Sequence, residues 1–104
     1  MSLIVEDLGQ ADGDFLQAVA DALKGEFEGV AVLAGVKDGA VALVATVSPS
    51  LKAAFNAGKI IQSIAPVVGG KGGGRPDNAR GGGRQAAKLG EALAKVEELV
   101  RAGE

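Results

Sequence analysis

Apolar residues recur at helical spacing in three stretches of the chain and run almost unbroken in two others. From Phe15 to Phe27, the residues Phe15, Val19, Leu23 and Phe27 repeat every fourth position, with Leu16 and Ala20 beside them. That spacing predicts a helix with one buried face. Asp12-Gly13-Asp14 ahead of it offers N-cap chemistry, because an aspartate oxygen accepts from the first free N–H groups of a helix. Gly25 weakens the last turn. Lys59 to Val68 carries Ile60, Ile61, Ile64 and Val67 or Val68 at helical spacing, and Pro66 is expected to kink or end that helix. Gln85 to Ala102 places Ala86, Leu89, Leu93, Val96 and Val100 on one face, with Glu91–Lys95 and Glu97–Arg101 set for i,i+4 pairing.

The unbroken apolar runs are Val30–Val36 and Val41–Val47, joined by Lys37-Asp38-Gly39-Ala40. Asp-Gly between two such runs is a hairpin signal. Because the runs do not alternate with polar residues, both faces of the hairpin are expected to be covered, by helices on one side and a partner on the other. Leu3–Leu8 reads as an edge strand, and Ser48-Pro49 as the start of a short helix over Leu51–Phe55. The order β-α-β-β-α-α-loop-α predicts an α+β fold. Its small, mainly antiparallel sheet has a central hairpin at about 30–36 and 41–47 packed by helices, and an ordered Gly-rich loop precedes the C-terminal helix.

The length of 104 residues fits a single domain with one core, built mostly from Ala and Val since the chain has three Phe and no Trp or Tyr. The absence of Cys and His excludes disulfides and thiolate metal sites and removes the commonest general base and metal ligand. No stretch approaches the roughly 20 apolar residues of a membrane span, and no basic-then-apolar leader opens the chain, so the expected location is the cytoplasm. Met1-Ser2-Leu3 reads as a leader in front of an excised fragment, which would make the chain a piece of a larger protein.

The net charge of −2 conceals an asymmetry: from Lys52 to Lys88 there are seven Lys or Arg and one acid, Asp77. Within this basic region lies Gly69–Gly83, G-G-K-G-G-G-R-P-D-N-A-R-G-G-G, in which eight of fifteen residues are glycine. Bare backbone N–H groups and interleaved Lys71, Arg75 and Arg80 suit a phosphate or other polyanion. Arg75-Pro76-Asp77 in its middle is stiff, which favours an ordered loop over a flexible linker.

Nucleotide-loop patterns fail here. Gly72, not Ser or Thr, follows Lys71, and a helical segment instead of a strand leads into the glycines. Asp12 and Asp14 fit helix capping, Asp77 fits orientation of Arg75, and no constellation supports catalysis. Nucleic acid remains the best-matched ligand. Arg75 and Arg80 can hold phosphates bidentately, and Lys71 adds a point charge. The loop has no aromatic residue on which a splayed base could stack, so recognition by shape and phosphate contacts is expected.

Gly-Gly-Lys-Gly-Gly-Gly-Arg-Pro-Asp resembles the signature near the C-terminus of alanyl-tRNA synthetases, in a small domain related to the one attached to DHH-type phosphoesterases. The flanking helices and upstream hairpin fit the same resemblance. Asn78 stands where that family usually has methionine, and Arg80 where it usually has glutamine.

The resemblance implies a non-catalytic tRNA-binding domain from the C-terminus of a larger enzyme. It would dock the tRNA elbow to support aminoacylation and editing, and could self-associate as a homodimer. It assigns Lys71, Gly72, Gly73, Gly74, Arg75 and Asp77 to a tRNA-facing loop, extended by Arg80 and Arg84, with Lys52 and Lys59 added on charge alone. It implies no cofactor in this chain, while the parent ligase uses ATP with Mg and commonly zinc elsewhere. Three alternatives stay open at this point: a free-standing editing hydrolase, a DHH-type phosphoesterase (whose usual G-G-G-H is here Gly72-Gly73-Gly74-Arg75), and a self-association module.

Overall fold

The computed structural model describes residues 2–23 and 26–103. Strand β1 (Ser2–Asp7) leads to helix α1 (Gly13–Leu23), then to the hairpin strands β2 (Gly29–Lys37) and β3 (Ala40–Val47). Helix α2 (Ala57–Ile64) follows and tightens into a 3-10 turn over Ala65–Val68. Strands β4 (Lys71–Gly74) and β5 (Asn78–Gly83) precede the closing helix α3 (Leu89–Gly103). The strands form one sheet in the order β1-β2-β3-β5-β4. Only β1 and β2 are parallel; the other neighbours are antiparallel.

The local chemistry explains the ends of the elements. Asp12 Oδ1 accepts from the Phe15 N–H at 2.9 Å, the N-cap bond expected for α1. At the β2–β3 turn, Asp38 and Gly39 have φ of 53° and 78°, as a type I′ hairpin turn requires. Asn56 caps α2 through the Lys59 N–H, and Gly69 closes the following 3-10 turn in the left-handed region. Pro66 lies in that 3-10 turn, where its missing N–H removes a helical bond, so the α-helix ends before it.

The sheet is covered on both faces by this chain itself, so the partner expected on one side is not needed. Leu33, Val44, Leu16 and Ala20 pack together beneath α1. On the opposite face Val32, Ala34, Leu43 and Ala45 meet Ile61 and Ile64 of α2 and Ala92, Val96 and Val100 of α3. Register sets this division: Leu33 pairs with Val44, and Ala34 with Leu43, so neighbouring pairs point to opposite faces.

Several expectations are corrected. Gly69–Gly83 is ordered, but it is mostly sheet: a β-hairpin that forms one edge. Leu51–Phe55 is a 3-10 and turn segment, and the last helix turns α-helical only at Leu89, after a 3-10 turn at Ala86–Lys88. Phe15 is 55% exposed, because Leu16 and Ala20 form the buried stripe of α1. Glu91 pairs with Lys88 at 3.5 Å, and neither Glu91–Lys95 nor Glu97–Arg101 is among the ion pairs of the described residues. The position Gly25, expected to weaken α1, lies outside the described residues.

Candidate functional site

Two glycines of the β4–β5 hairpin, Gly72 and Gly81, lie directly beneath α2. A Cβ on Gly72 would meet the Arg80 carbonyl at 2.6 Å and Ile61 Cγ2 at 2.7 Å, and one on Gly81 would meet the same Ile61 carbon at 2.6 Å. Side chains at either position would push the helix off the sheet. Gly58 on the helix completes the fit, since its own Cβ would stand 2.7 Å from the Gly74 carbonyl oxygen. Gly72, Gly74 and Gly81 thus form a packing surface for α2. Gly73 differs: its φ is not positive, and a Cβ there would meet only the Gln62 side chain, at 3.2 Å.

The predicted binding residues do not converge on one spot. Arg75, Pro76 and Asp77 form the hairpin tip. Lys71 pairs with Gly82 at the other end of the hairpin, roughly 13 Å from Arg75 at about 3.3 Å per strand residue. Arg84 lies at that far end too, its N–H bonded to the Val68 carbonyl at 2.9 Å. The carbonyl of Asn78 accepts from the Arg75 N–H at 3.0 Å and closes the tip. Asp77 Oδ1 lies 3.8 Å from Arg75 Nε, which fits its expected task of orienting that arginine. The Asp77 carbonyl accepts from Thr46 Oγ1 at 3.2 Å and from the Val47 N–H at 3.0 Å, and the Pro76 carbonyl accepts from the Ala57 N–H at 2.8 Å. The tip is therefore anchored to both β3 and α2, and it presents Arg75 from a fixed base with its side chain 76% exposed.

Arg80 points elsewhere. It pairs with Val44 in the sheet, on the face covered by α1, and its Nη2 donates to Asp14 Oδ1 at 3.2 Å. Its guanidinium occupies the space a side chain at Gly13 would need. Asn78, on the same face, exchanges two hydrogen bonds with Gln17. The two positions that depart from the resembled motif are both engaged with α1.

Lys52 and Lys59, added on charge alone, acquire a place near Arg75. A shallow groove of about 520 Å³ is lined by Lys52, Ala53, Arg75, Pro76 and Asp77. Lys52 and Ala53 also line a neighbouring cavity of about 300 Å³ together with Phe55 and Lys59. Lys52, Lys59, Lys71 and Arg84 have no ion pair among the described residues. Phe55, which the sequence did not single out because it lies upstream of the glycine run, also lines the cavity of about 300 Å³. No cluster of three or more acidic side chains able to hold a metal ion occurs among the described residues, and no helix is long and apolar enough to cross a membrane.

Comparison with known proteins agrees with this architecture. The family model described as the DHHA1 domain matches residues 1–102. The alanine–tRNA ligase of Hydrogenovibrio crunogenus is 42% identical over 101 residues, and that of Synechocystis sp. is 43% identical over 104 residues; each match covers 96% of this chain. The chain spans only 12% of the length of either relative. Among solved structures, the C-Ala domain from Aquifex aeolicus alanyl-tRNA synthetase superposes with a TM-score of 0.86 at 30% identity, covering 93% of this chain and 88% of that one. With the family model spanning nearly every residue and the C-Ala fold reproduced from end to end, this chain belongs to the DHHA1 domain family, as the C-terminal domain type of alanyl-tRNA synthetases.

Proposed function

We propose that the chain docks tRNA as the C-terminal, non-catalytic domain of a cytoplasmic alanine–tRNA ligase. The observation that carries this reading is the grouping of Arg75, Lys52 and Lys59 along two adjoining grooves, with neither lysine paired to an acid among the described residues. Three cations spaced along a surface suit successive phosphates of a folded RNA. Kinship with alanine–tRNA ligases favours this parent over an editing hydrolase or a DHH-type phosphoesterase.

In this reading Arg75 is the central phosphate ligand, held by Asp77. Lys71 and Arg84 extend the contact at the far end of the hairpin, Gly72, Gly73 and Gly74 keep the edge low, and Arg80 holds α1 to the sheet. Docking the tRNA elbow, supporting editing and forming a homodimer belong to the same proposal. The ATP, Mg and zinc of the parent would lie outside this chain.

The test is a filter-binding titration against alanine tRNA, beside a duplex RNA of equal charge without the L-shaped fold. Preference for the folded tRNA, lost in Lys52→Gln/Arg75→Ala, supports the reading; equal binding of both RNAs refutes elbow docking. Light scattering on the same samples tests the homodimer.

A further inference from the structure

The 300 Å³ cavity beside Lys52 has a composition that the phosphate contacts leave unexplained. Phe55, Ile60, Leu99 and Val100 line it with apolar surface, while Lys52, Asn56, Lys59 and Ser63 supply its polar groups; no acid among the described residues lines it. Asn56 uses Oδ1 to cap α2 at 3.1 Å, which leaves its amide N–H groups unpaired, and the Ser63 hydroxyl has no partner among the described residues. A simple anion site has no use for such an apolar lining, and an apolar ligand has no use for two unpaired lysines. An aromatic group carrying phosphates uses both. The volume lies at the small end of ligand clefts, roughly 300–1,000 Å³. The cavity also opens beside the Arg75 groove and shares Lys52 and Ala53 with it, so the charged path runs on from Arg75 through Lys52 to Lys59. A continuous polyanion fits that path better than an isolated small molecule.

We infer that this cavity receives one unstacked nucleotide of the bound RNA. Its base lies against Phe55, Ile60 and Leu99, its edge meets Asn56 and Ser63, and the flanking phosphates meet Lys52 and Lys59. The inference rests on the proposed RNA partner and adds a base contact to it. Phe55, 8% exposed and packed in the main core, adds to the cavity lining the aromatic carbon that the glycine run lacks.

The experiment titrates the chain with a short single-stranded RNA carrying a fluorescent purine analogue at its centre, and with the same strand made abasic there. The base is expected to tighten binding about tenfold, within the range measured for stacking of one base. Lys59→Gln should weaken both strands and leave their ratio unchanged. Ser63→Leu, which fills the cavity without touching a charge, should bring the ratio close to one while preserving the salt dependence; Ala54→Leu is the second variant should Ser63→Leu fail to fold.

Equal binding of the two wild-type strands, or a ratio unchanged in a folded cavity-filling variant, overturns the inference. A parallel titration with alanine tRNA separates the two readings. If tRNA binds and the ratio is one, only the nucleotide cavity is refuted. If the ratio is tenfold but folded tRNA gains nothing over the duplex, the cavity stands and elbow docking falls.

Discussion

Asn78 and Gln17 exchange two amide hydrogen bonds, of 3.0 and 3.1 Å, between strand β5 and helix α1. Two residues farther along β5, Arg80 Nη2 donates a single hydrogen bond of 3.2 Å to Asp14 Oδ1 on the same helix. These contacts bind α1 to the hairpin that carries Arg75, so the helix and the proposed RNA-facing edge share a polar seam. Asn78→Ala leaves the part-buried Gln17 amide short of a partner, and should cost about 1–2 kcal/mol in urea denaturation. Gln17→Ala with Asn78→Ala should cost less than the two single changes added together, since both ends of the pair are removed. Additive losses would mean that the pair is not coupled.

The hairpin glycines differ sharply in what they tolerate. Gly72→Ala forces a methyl group against Ile61 and the β5 backbone, and should lose about 1–3 kcal/mol or more. Gly73→Ala meets only the flexible Gln62 side chain and should lose less than about 1 kcal/mol. Denaturation midpoints of the two variants should therefore separate clearly. Coincident midpoints would show that α2 can lift from the sheet at little cost.

Arg75 and Arg80 are both arginines of the same motif but should respond differently. Arg75→Ala removes an exposed side chain at an anchored tip, and should change stability by no more than about 0.5 kcal/mol. It should weaken tRNA binding and lower the slope of log affinity against log salt by about one phosphate contact. Arg80→Ala should alter that slope less, because its guanidinium is held by Asp14. Slopes lowered equally below wild type in both variants would place both arginines on the RNA.

Acid should loosen the start of α1. The bond from the Phe15 N–H, aided by the nearby Lys37 charge, holds the Asp12 carboxyl below its ordinary value. A carboxyl whose native value is depressed adds stability above its unfolded value of about 3.9, and that stability is lost as pH falls through the lower native value. Wild type and Asp12→Ala should therefore differ above about pH 4 and converge at lower pH. Parallel stability curves across that range would remove Asp12 as the source.

The sequence by itself determined the elements whose signals are local. The Asp12 cap, the Asp38-Gly39 turn, the stop at Pro66 and the face of α3 all depend on neighbours a few residues apart, where backbone chemistry decides the outcome. Gly69–Gly83 was legible as a basic, glycine-rich segment, and its resemblance pointed to the correct family. Only the tertiary structure decided that this segment is sheet. Glycine has no intrinsic preference for strands; here Gly72 and Gly81 let α2 pack closely on the hairpin, and Gly82 and Gly83 let the backbones of Val41 and Val68 approach. The tertiary structure likewise turned Arg80 toward Asp14 and gathered Lys52, Lys59, Phe55 and Arg75 along adjoining grooves. Arg80 and Asp14 are 66 residues apart, and Arg75 is separated from the Lys52–Lys59 segment by the rest of helix α2 and strand β4, so no local pattern encodes that they will meet.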